Sequence, residues 1–235
     1  MQAIVVTPVK DALKATLQTI RAIYQSDTDF SYIVFNDNST TETRIALEAE
    51  SKRLGYELIH LEDITETPSP NYKTVLQIAQ QRAVAQKLPL VIIESDVTIQ
   101  TDTLRRLLEF NGGQVNPGLV GAITHDERGE INFPYLKFKD QQGAAIKTNR
   151  SLSFCCTLLS LGFLEKYDFR GLDVSKDWYD THISHKATEL GFDNFILMEV
   201  PVIHQPHASR PWKMLKYKNP LLYYFKKWFL GKDKI

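Results

Sequence analysis

Cysteine is nearly absent from this chain of 235 residues: there are two, Cys155 and Cys156, and they are neighbours. Adjacent cysteines make very poor disulfide partners, so the fold does not rest on a disulfide framework. Two thiols are also too few for a thiolate-based structural zinc site. The scarcity fits a reducing, cytoplasmic compartment. Net charge is missing as well, with 28 Lys and Arg against 28 Asp and Glu. That balance offers none of the basic excess a nucleic-acid partner calls for. No run approaches the roughly 18 apolar residues of a spanning helix, and Met1-Gln2-Ala3-Ile4 does not begin a secretory signal. Two nucleotide motifs are lacking. No G-x-G-x-x-G follows the first apolar run, and no G-x-x-x-x-G-K-[ST] occurs. The dinucleotide-dehydrogenase and P-loop readings lose their main support.

What is present is an alternation of short β-branched runs and amphipathic stretches. Strands are predicted over 3–7, 32–35, 56–61, 90–94 and 119–123, and helices over 11–24, 40–54, 72–86 and 101–110. Gly55 closes the second helix as C-terminal glycines do. Such alternation predicts βαβ units, hence an α/β fold with a mostly parallel central sheet flanked by helices. The second half is less regular: residues 124–150 are polar, with Gly129, Pro134 and Gly143. A helix follows over 177–190, ended by Gly191, and then a strand over 195–200.

Carboxylates stand where these strands end. Glu94-Ser95-Asp96 closes the apolar run Leu90-Val91-Ile92-Ile93. As a continued strand it would project both acids from one side of the pleat. Ligands of open α/β sheets bind beyond the carboxyl ends of the strands. Acids there suit a divalent cation, and a cation suits a phosphate ester. A strand followed by polar turn residues produces the same string. Asn36-Asp37-Asn38-Ser39 ends the second strand and reads either as a turn and helix N-cap or as a nucleobase acceptor at Asp37. In the last helix Asp180, Ile183, Ala187 and Leu190 share one face, so Asp180 heads an inward stripe and suits a base or ligand role. Asp177 reads as the helix cap. His182 and His185 read as surface residues. His204 sits where the last strand leaves the sheet, with His207 as its competitor.

Residues 209–235 carry eight basic residues (Arg210, Lys213, Lys216, Lys218, Lys226, Lys227, Lys232 and Lys234) against Asp233, interleaved with Trp212, Leu215, Leu221, Tyr224, Phe225 and Trp228. The pattern fits a basic amphipathic helical tail lying on an anionic membrane surface, or one docked on its own domain.

Taken in order, these strings resemble family 2 glycosyltransferases of the GT-A fold, over roughly residues 1–208. The matching strings are Val5-Val6-Thr7-Pro8-Val9, the Asn-Asp-Asn-Ser turn, Glu94-Ser95-Asp96 in place of Asp-x-Asp, Asp180 eleven residues before Gly191, and Val200-Pro201-Val202-Ile203-His204. Asp177-Trp178-Tyr179-Asp180-Thr181 is similar to the rhamnosyltransferase-like branch. The resemblance implies a nucleotide-sugar-binding half (1–123), an acceptor and catalytic half (124–208), and the tail (209–235). It implies donor binding by Thr7, Pro8, Asp37, Glu94 and Ser95, metal ligation by Asp96 and His204, and a catalytic base at Asp180. The implied cofactor is Mn²⁺ or Mg²⁺. The partners would be a nucleotide-diphosphate sugar donor and a glycan or lipid-linked acceptor, on the inner face of the cytoplasmic membrane. The family's Ala-Arg-Asn segment has no counterpart in register; Lys73 and Arg82 are the nearest cations. A nucleotidyltransferase and a catalytically silent membrane-associated scaffold are the other classes. The first is disfavoured by the poor phosphate loop Pro8-Val9-Lys10-Asp11.

Overall fold

The computed structural model describes residues 2–173, 178–205, 219, 221, 222, 224 and 225. Its strands are β1 (Gln2–Val9), β2 (Asp29–Asn36), β3 (Glu57–His60), β4 (Leu90–Ile93), β5 (Val97–Thr98), β6 (Pro117–His125), β7 (Ala145–Lys147), β8 (Cys156–Leu159) and β9 (Asp193–His204). The helices are α1 (Leu13–Tyr24), α2 (Thr41–Leu54), α3 (Tyr72–Gln86), α4 (Thr103–Gly112), α5 (Leu161–Lys166) and α6 (Tyr179–Glu189).

The strands form one sheet in the order β3-β2-β1-β4-β8-β6-β9-β5, with β7 also paired to β9. Pairing is parallel from β3 through β4 and between β6 and β9, and antiparallel wherever β5, β7 or β8 takes part. Following these signs, β1, β2, β3, β4, β6 and β9 run one way, so their carboxyl ends share one edge. The sheet is mixed but mostly parallel.

Alternation along each strand feeds two cores, because successive side chains leave opposite faces of the pleat. Ile4, Val6, Leu90 and Ile92 meet Val75, Leu76 and Ala79 of α3, Phe163 of α5 and Ile183 of α6 on one face. On the other, Ala3, Val5, Val91 and Ile93 meet Ile20 of α1, Leu47 of α2 and Leu104 of α4. Each fully buried aliphatic side chain contributes about 1.5–3 kcal/mol. The layering α/β/α is what an internal parallel sheet requires.

Local chemistry sets several element ends. Gly55 caps α2 at φ 84°, a left-handed conformation glycine adopts without a Cβ penalty. The helix expected over 11–24 begins later, because Asp11 and Ala12 are left-handed, with φ 56° and 50°. The strand expected over 195–200 is longer, running to His204. Its register against β6 shifts between Ala122–Leu197 and Ile123–Pro201. Pro201 has no N–H for the ladder, so a bulge beside it keeps the strand going.

Of the basic tail, only Asn219, Leu221, Leu222, Tyr224 and Phe225 are described; the last four are helical and exposed. The remainder of the tail, His207 and Asp177 lie outside the described residues. Among described residues no helix is long and apolar enough to cross a membrane.

Candidate active site

β4 stops at Ile93, and the chain turns. The Val97 N–H donates to the Glu94 carbonyl at 3.2 Å, so Glu94-Ser95-Asp96 is a tight turn into β5. This corrects the expectation of two acids projecting from a continued pleat: the strand has already ended. The turn still holds the carboxylates close together. The Glu94 N–H donates to the Cys155 carbonyl at 3.0 Å, and the Cys155 thiol donates to Glu94 Oε2 at 3.3 Å. Burial, then the negative charge of Asp96, pushes the Glu94 carboxyl up to about 7. Ser95 is buried within the turn.

His204 arrives from the far end of the chain. The bulge at Pro201 lets the end of β9 pair with β5, so that His204 faces Val97. Its ring is 5% exposed. Nδ1 lies 2.7 Å from the Phe133 carbonyl, and Nε2 lies 3.6 Å from Asp96 Oδ2. Asn132 Nδ2 donates to the His204 carbonyl at 2.9 Å, so residues 132 and 133 brace both its ring and its backbone. With acceptors at both nitrogens the imidazolium is favoured. Burial pulls the His204 pKa down, but Asp96 and then Glu94 outweigh it and the net shift is upward.

These donors fit a divalent cation. A gap of 3.6 Å between Asp96 Oδ2 and His204 Nε2 is spanned by an ion with bonds of ~2.1 Å to each. Nδ1, held by a carbonyl, keeps the ring proton and leaves Nε2 to bind, the usual arrangement of a ligating histidine. Ligand atoms of Glu94, Cys155 and His204 all lie within 4.8 Å of one another.

Asp180 stands in the first turn of α6. Its Oδ1 accepts the Thr181 N–H at 2.7 Å, and its charge is among those raising Glu94 and the buried Tyr135. Its charge also reaches Lys137. Burial and then Arg150 depress the Lys137 ammonium, and Asp180 partly restores it. Glu94, Asp96, His204 and Asp180 therefore gather at the carboxyl edge.

Asp37 is placed elsewhere on that edge. It accepts from Ser69 Oγ at 2.7 Å, the Asn71 N–H at 2.8 Å, Asn71 Nδ2 at 2.8 Å and Asn38 Nδ2 at 3.3 Å. These donors tie the second strand to the start of α3 and occupy the carboxylate's roughly four lone-pair sites. Thr7 is fully buried and its hydroxyl accepts from Tyr32 at 2.9 Å; Pro8 pairs with Phe35. The loops after β1 and β2 are laced together. The Asp11 N–H donates to Ser39 Oγ at 3.0 Å, Thr40 N–H to Asp11 Oδ1 at 2.7 Å, and Lys10 to the Asn38 carbonyl. Asn38 is left-handed as well, with φ 54°. Such strained non-glycine residues gather at functional loops.

The two cations nearest the missing arginine are committed. Lys73 donates to the Leu172 carbonyl, and Arg82 pairs with Glu57 at 2.8 Å. Arg82 lines a cleft of about 540 Å³ with Tyr24, Asp29 and Phe30, at the amino ends of the strands, away from the carboxylates. Sequence reasoning missed Cys155, Tyr135 and Lys137. Tyr135 accepts the Ser153 N–H and donates to the Ser153 carbonyl, both at 3.0 Å, holding the chain that enters β8. No periodicity marks these residues; only the pairing of β8 with β4 brings Cys155 beside Glu94.

No family model matches this chain, and no curated protein sequence is detectably similar to it. Solved structures are similar in shape. The mannosyltransferase PcManGT of Pyrobaculum calidifontis, in complex with GDP-Man and Mn²⁺, superposes with a TM-score of 0.63 at 14% identity, over 99% of this chain and 65% of that one. S. aureus TarS in complex with UDP gives 0.65 at 15%, over 92% and 64%. GalNAc-T7 with UDP, GalNAc and Mn²⁺ gives 0.63 at 12%, over 87% and 44%. The chain thus spans less than two thirds of each. At these identities the likeness establishes the fold, a GT-A-like α/β architecture.

Proposed function

We propose that this protein is a metal-dependent inverting glycosyltransferase. It moves a sugar from a nucleotide-diphosphate donor to a hydroxyl of a growing glycan or lipid-linked saccharide, the work of cell-surface polysaccharide synthesis. The observation that carries the reading is the convergence of Glu94, Asp96, His204 and Asp180 at the carboxyl edge of a GT-A-like sheet. The three similar structures are described with GDP-Man, UDP or Mn²⁺, which supports a donor of that kind.

Asp96 and His204 hold Mn²⁺ or Mg²⁺. When bound, the ion neutralises charge on the departing diphosphate. Glu94 and Ser95 line the donor side of the turn. Residues 1–123 bind the donor and 124–208 supply the acceptor side. The nucleobase lies over the loops after β1 and β2, against the backbone of Thr7 and Pro8. Its N–H reaches Asp37 by displacing the Asn38 amide, the longest of the four contacts at 3.3 Å. Asp180 accepts the acceptor hydroxyl proton as that oxygen attacks the anomeric carbon from the face opposite the diphosphate. Such a base contributes about 10²–10⁴-fold. The finer placement in the rhamnosyltransferase-like branch, hence hexosyl or deoxyhexosyl transfer, rests on the string around Trp178-Tyr179-Asp180. Residues 209–235 place the enzyme as a peripheral protein on the inner face of the cytoplasmic membrane.

A panel of nucleotide sugars with Mn²⁺ or Mg²⁺ tests this by slow donor hydrolysis and by transfer. One donor should be consumed, and Asp180→Asn should lose transfer about 10²–10⁴-fold while retaining donor binding. Donor neither bound nor consumed across the panel, or Asp180→Asn at the wild-type rate, would sink the reading.

A further inference from the structure

The donor set around Glu94 is not the all-oxygen one that Mg²⁺ and Mn²⁺ prefer. Cys155 is 2% exposed, and its Sγ lies 3.3 Å from Glu94 Oε2. Sγ, a Glu94 oxygen and a His204 ring nitrogen lie within 4.8 Å of one another. In a tetrahedral zinc site, bonds of ~2.0–2.3 Å set ligand atoms about 3.3–3.7 Å apart. The sulfur–oxygen edge is already that length, and an edge at the 4.8 Å limit closes by shortening about 1–1.5 Å. Three protein ligands of mixed O, S and N type with a fourth position left over is the arrangement of an open zinc site. The positions are also braced. The Glu94 N–H is tied to the Cys155 carbonyl at 3.0 Å, His204 Nδ1 to the Phe133 carbonyl at 2.7 Å, and Ser153 Oγ lies 3.4 Å from Cys155 Sγ.

We propose that Cys155 is a metal ligand, and that Glu94, Cys155 and His204 take a thiophilic divalent cation of the zinc class. On binding, bonds form from the metal to the Cys155 sulfur, a Glu94 oxygen and a His204 nitrogen, metal-bound waters leave in their place, and the protons held by the thiol, the imidazolium and any protonated Glu94 pass to the buffer. Thiolate and imidazole select such a cation over Mg²⁺. The site shares Glu94 and His204 with the donor site. Zn²⁺ therefore competes with the Mn²⁺ or Mg²⁺ of sugar transfer and draws His204 away from Asp96. The competition rests on the transferase reading; the ligation does not.

Cobalt(II) is the probe, because a cobalt–thiolate bond adds an intense near-ultraviolet charge-transfer band that oxygen and nitrogen ligands do not. Co²⁺ titrated into the full-length, metal-free protein should develop this band at one equivalent, and Zn²⁺ should erase it. Cys155→Ser should lose the band, while Cys156→Ser, at the neighbouring core thiol, should keep it. If Cys155→Ser does not fold, X-ray absorption of the wild-type protein with one equivalent of Zn²⁺ decides, and a sulfur neighbour at about 2.3 Å is expected. Absence of the band or of cobalt binding in the wild type, its survival in Cys155→Ser, or a zinc shell of only oxygen and nitrogen would overturn the proposal. No donor or acceptor enters these measurements, so such a result leaves the transferase reading standing. Conversely, a protein inert to every nucleotide sugar can still show the band.

Discussion

Glu94→Gln is the substitution whose effect follows most directly from the structure. In the unfolded chain this carboxyl titrates near 4.5, and in the fold burial and Asp96 raise it to about 7. A raised acid is more protonated in the native state, so between these values the native protein binds more protons and stability falls as pH rises. At 1.36 kcal/mol per unit the metal-free protein loses about 3 kcal/mol through this group between pH 4.5 and 8. His204 acts in the same direction. Its folded pKa is raised, so its contribution is present below the ordinary histidine value of about 6.5 and fades as pH passes the folded value. The neutral amide of the variant imitates the protonated acid. Urea denaturation in chelator, at intervals from pH 5 to 8, should therefore show little difference between variant and wild type at pH 5. At pH 8 the variant should be the more stable by about 3 kcal/mol. A bound cation favours the ionised acid, so added Mn²⁺ should flatten the wild-type slope more than the variant's, in which His204 alone of the two groups still exchanges its proton for the ion. Parallel profiles for the two proteins across this range in chelator would refute the assignment of a raised carboxyl to Glu94.

Asp37→Ala removes the acceptor of three donors within 2.8 Å and strands the buried Asn71 N–H. It should cost about 2–4 kcal/mol in chemical denaturation, given 1–3 kcal/mol for an orphaned buried group plus the lost bonds; a change under about 0.5 kcal/mol contradicts the anchoring role. Gly121→Ala would put a Cβ 3.0 Å from the Tyr135 hydroxyl and 3.2 Å from Ile196 Cδ1. Overpacking of this kind costs about 1–3 kcal/mol, and an unchanged melting temperature would show that the tyrosine has room to yield. Asp96→Ala should abolish the Mn²⁺-dependence of donor binding in calorimetry, whereas donor affinity unchanged with metal speaks against Asp96 as ligand. Deleting residues 209–235 should abolish sedimentation with anionic liposomes, since each basic residue near such a surface is worth about 1 kcal/mol; equal sedimentation removes the membrane role.

Periodicity is local, and wherever an element is specified locally the sequence alone was sufficient. α3 occupies 72–86 as its apolar spacing requires, with Val75, Leu76, Ala79 and Ala83 all buried. Gly55 and Gly191, with φ 84° and 83°, end their helices because only glycine takes that conformation freely. The alternation of strand and helix was enough to deduce an α/β fold with a mostly parallel sheet. What periodicity cannot carry is which strands become neighbours. β8 runs antiparallel between β4 and β6, and this insertion, not any motif, sets Cys155 against Glu94 across 61 residues of sequence. The same holds for His204, delivered to Asp96 by a bulge at Pro201 and a two-residue pairing with β5. The turn at Glu94-Ser95-Asp96 and the closure of Asp37 by Ser69 and Asn71 also required the folded chain. Residue types at strand ends identify candidate chemistry because strand ends are legible locally. Distances, burial and the raised carboxyl of Glu94 arise from contacts between remote segments, and these exist only once the sheet has assembled.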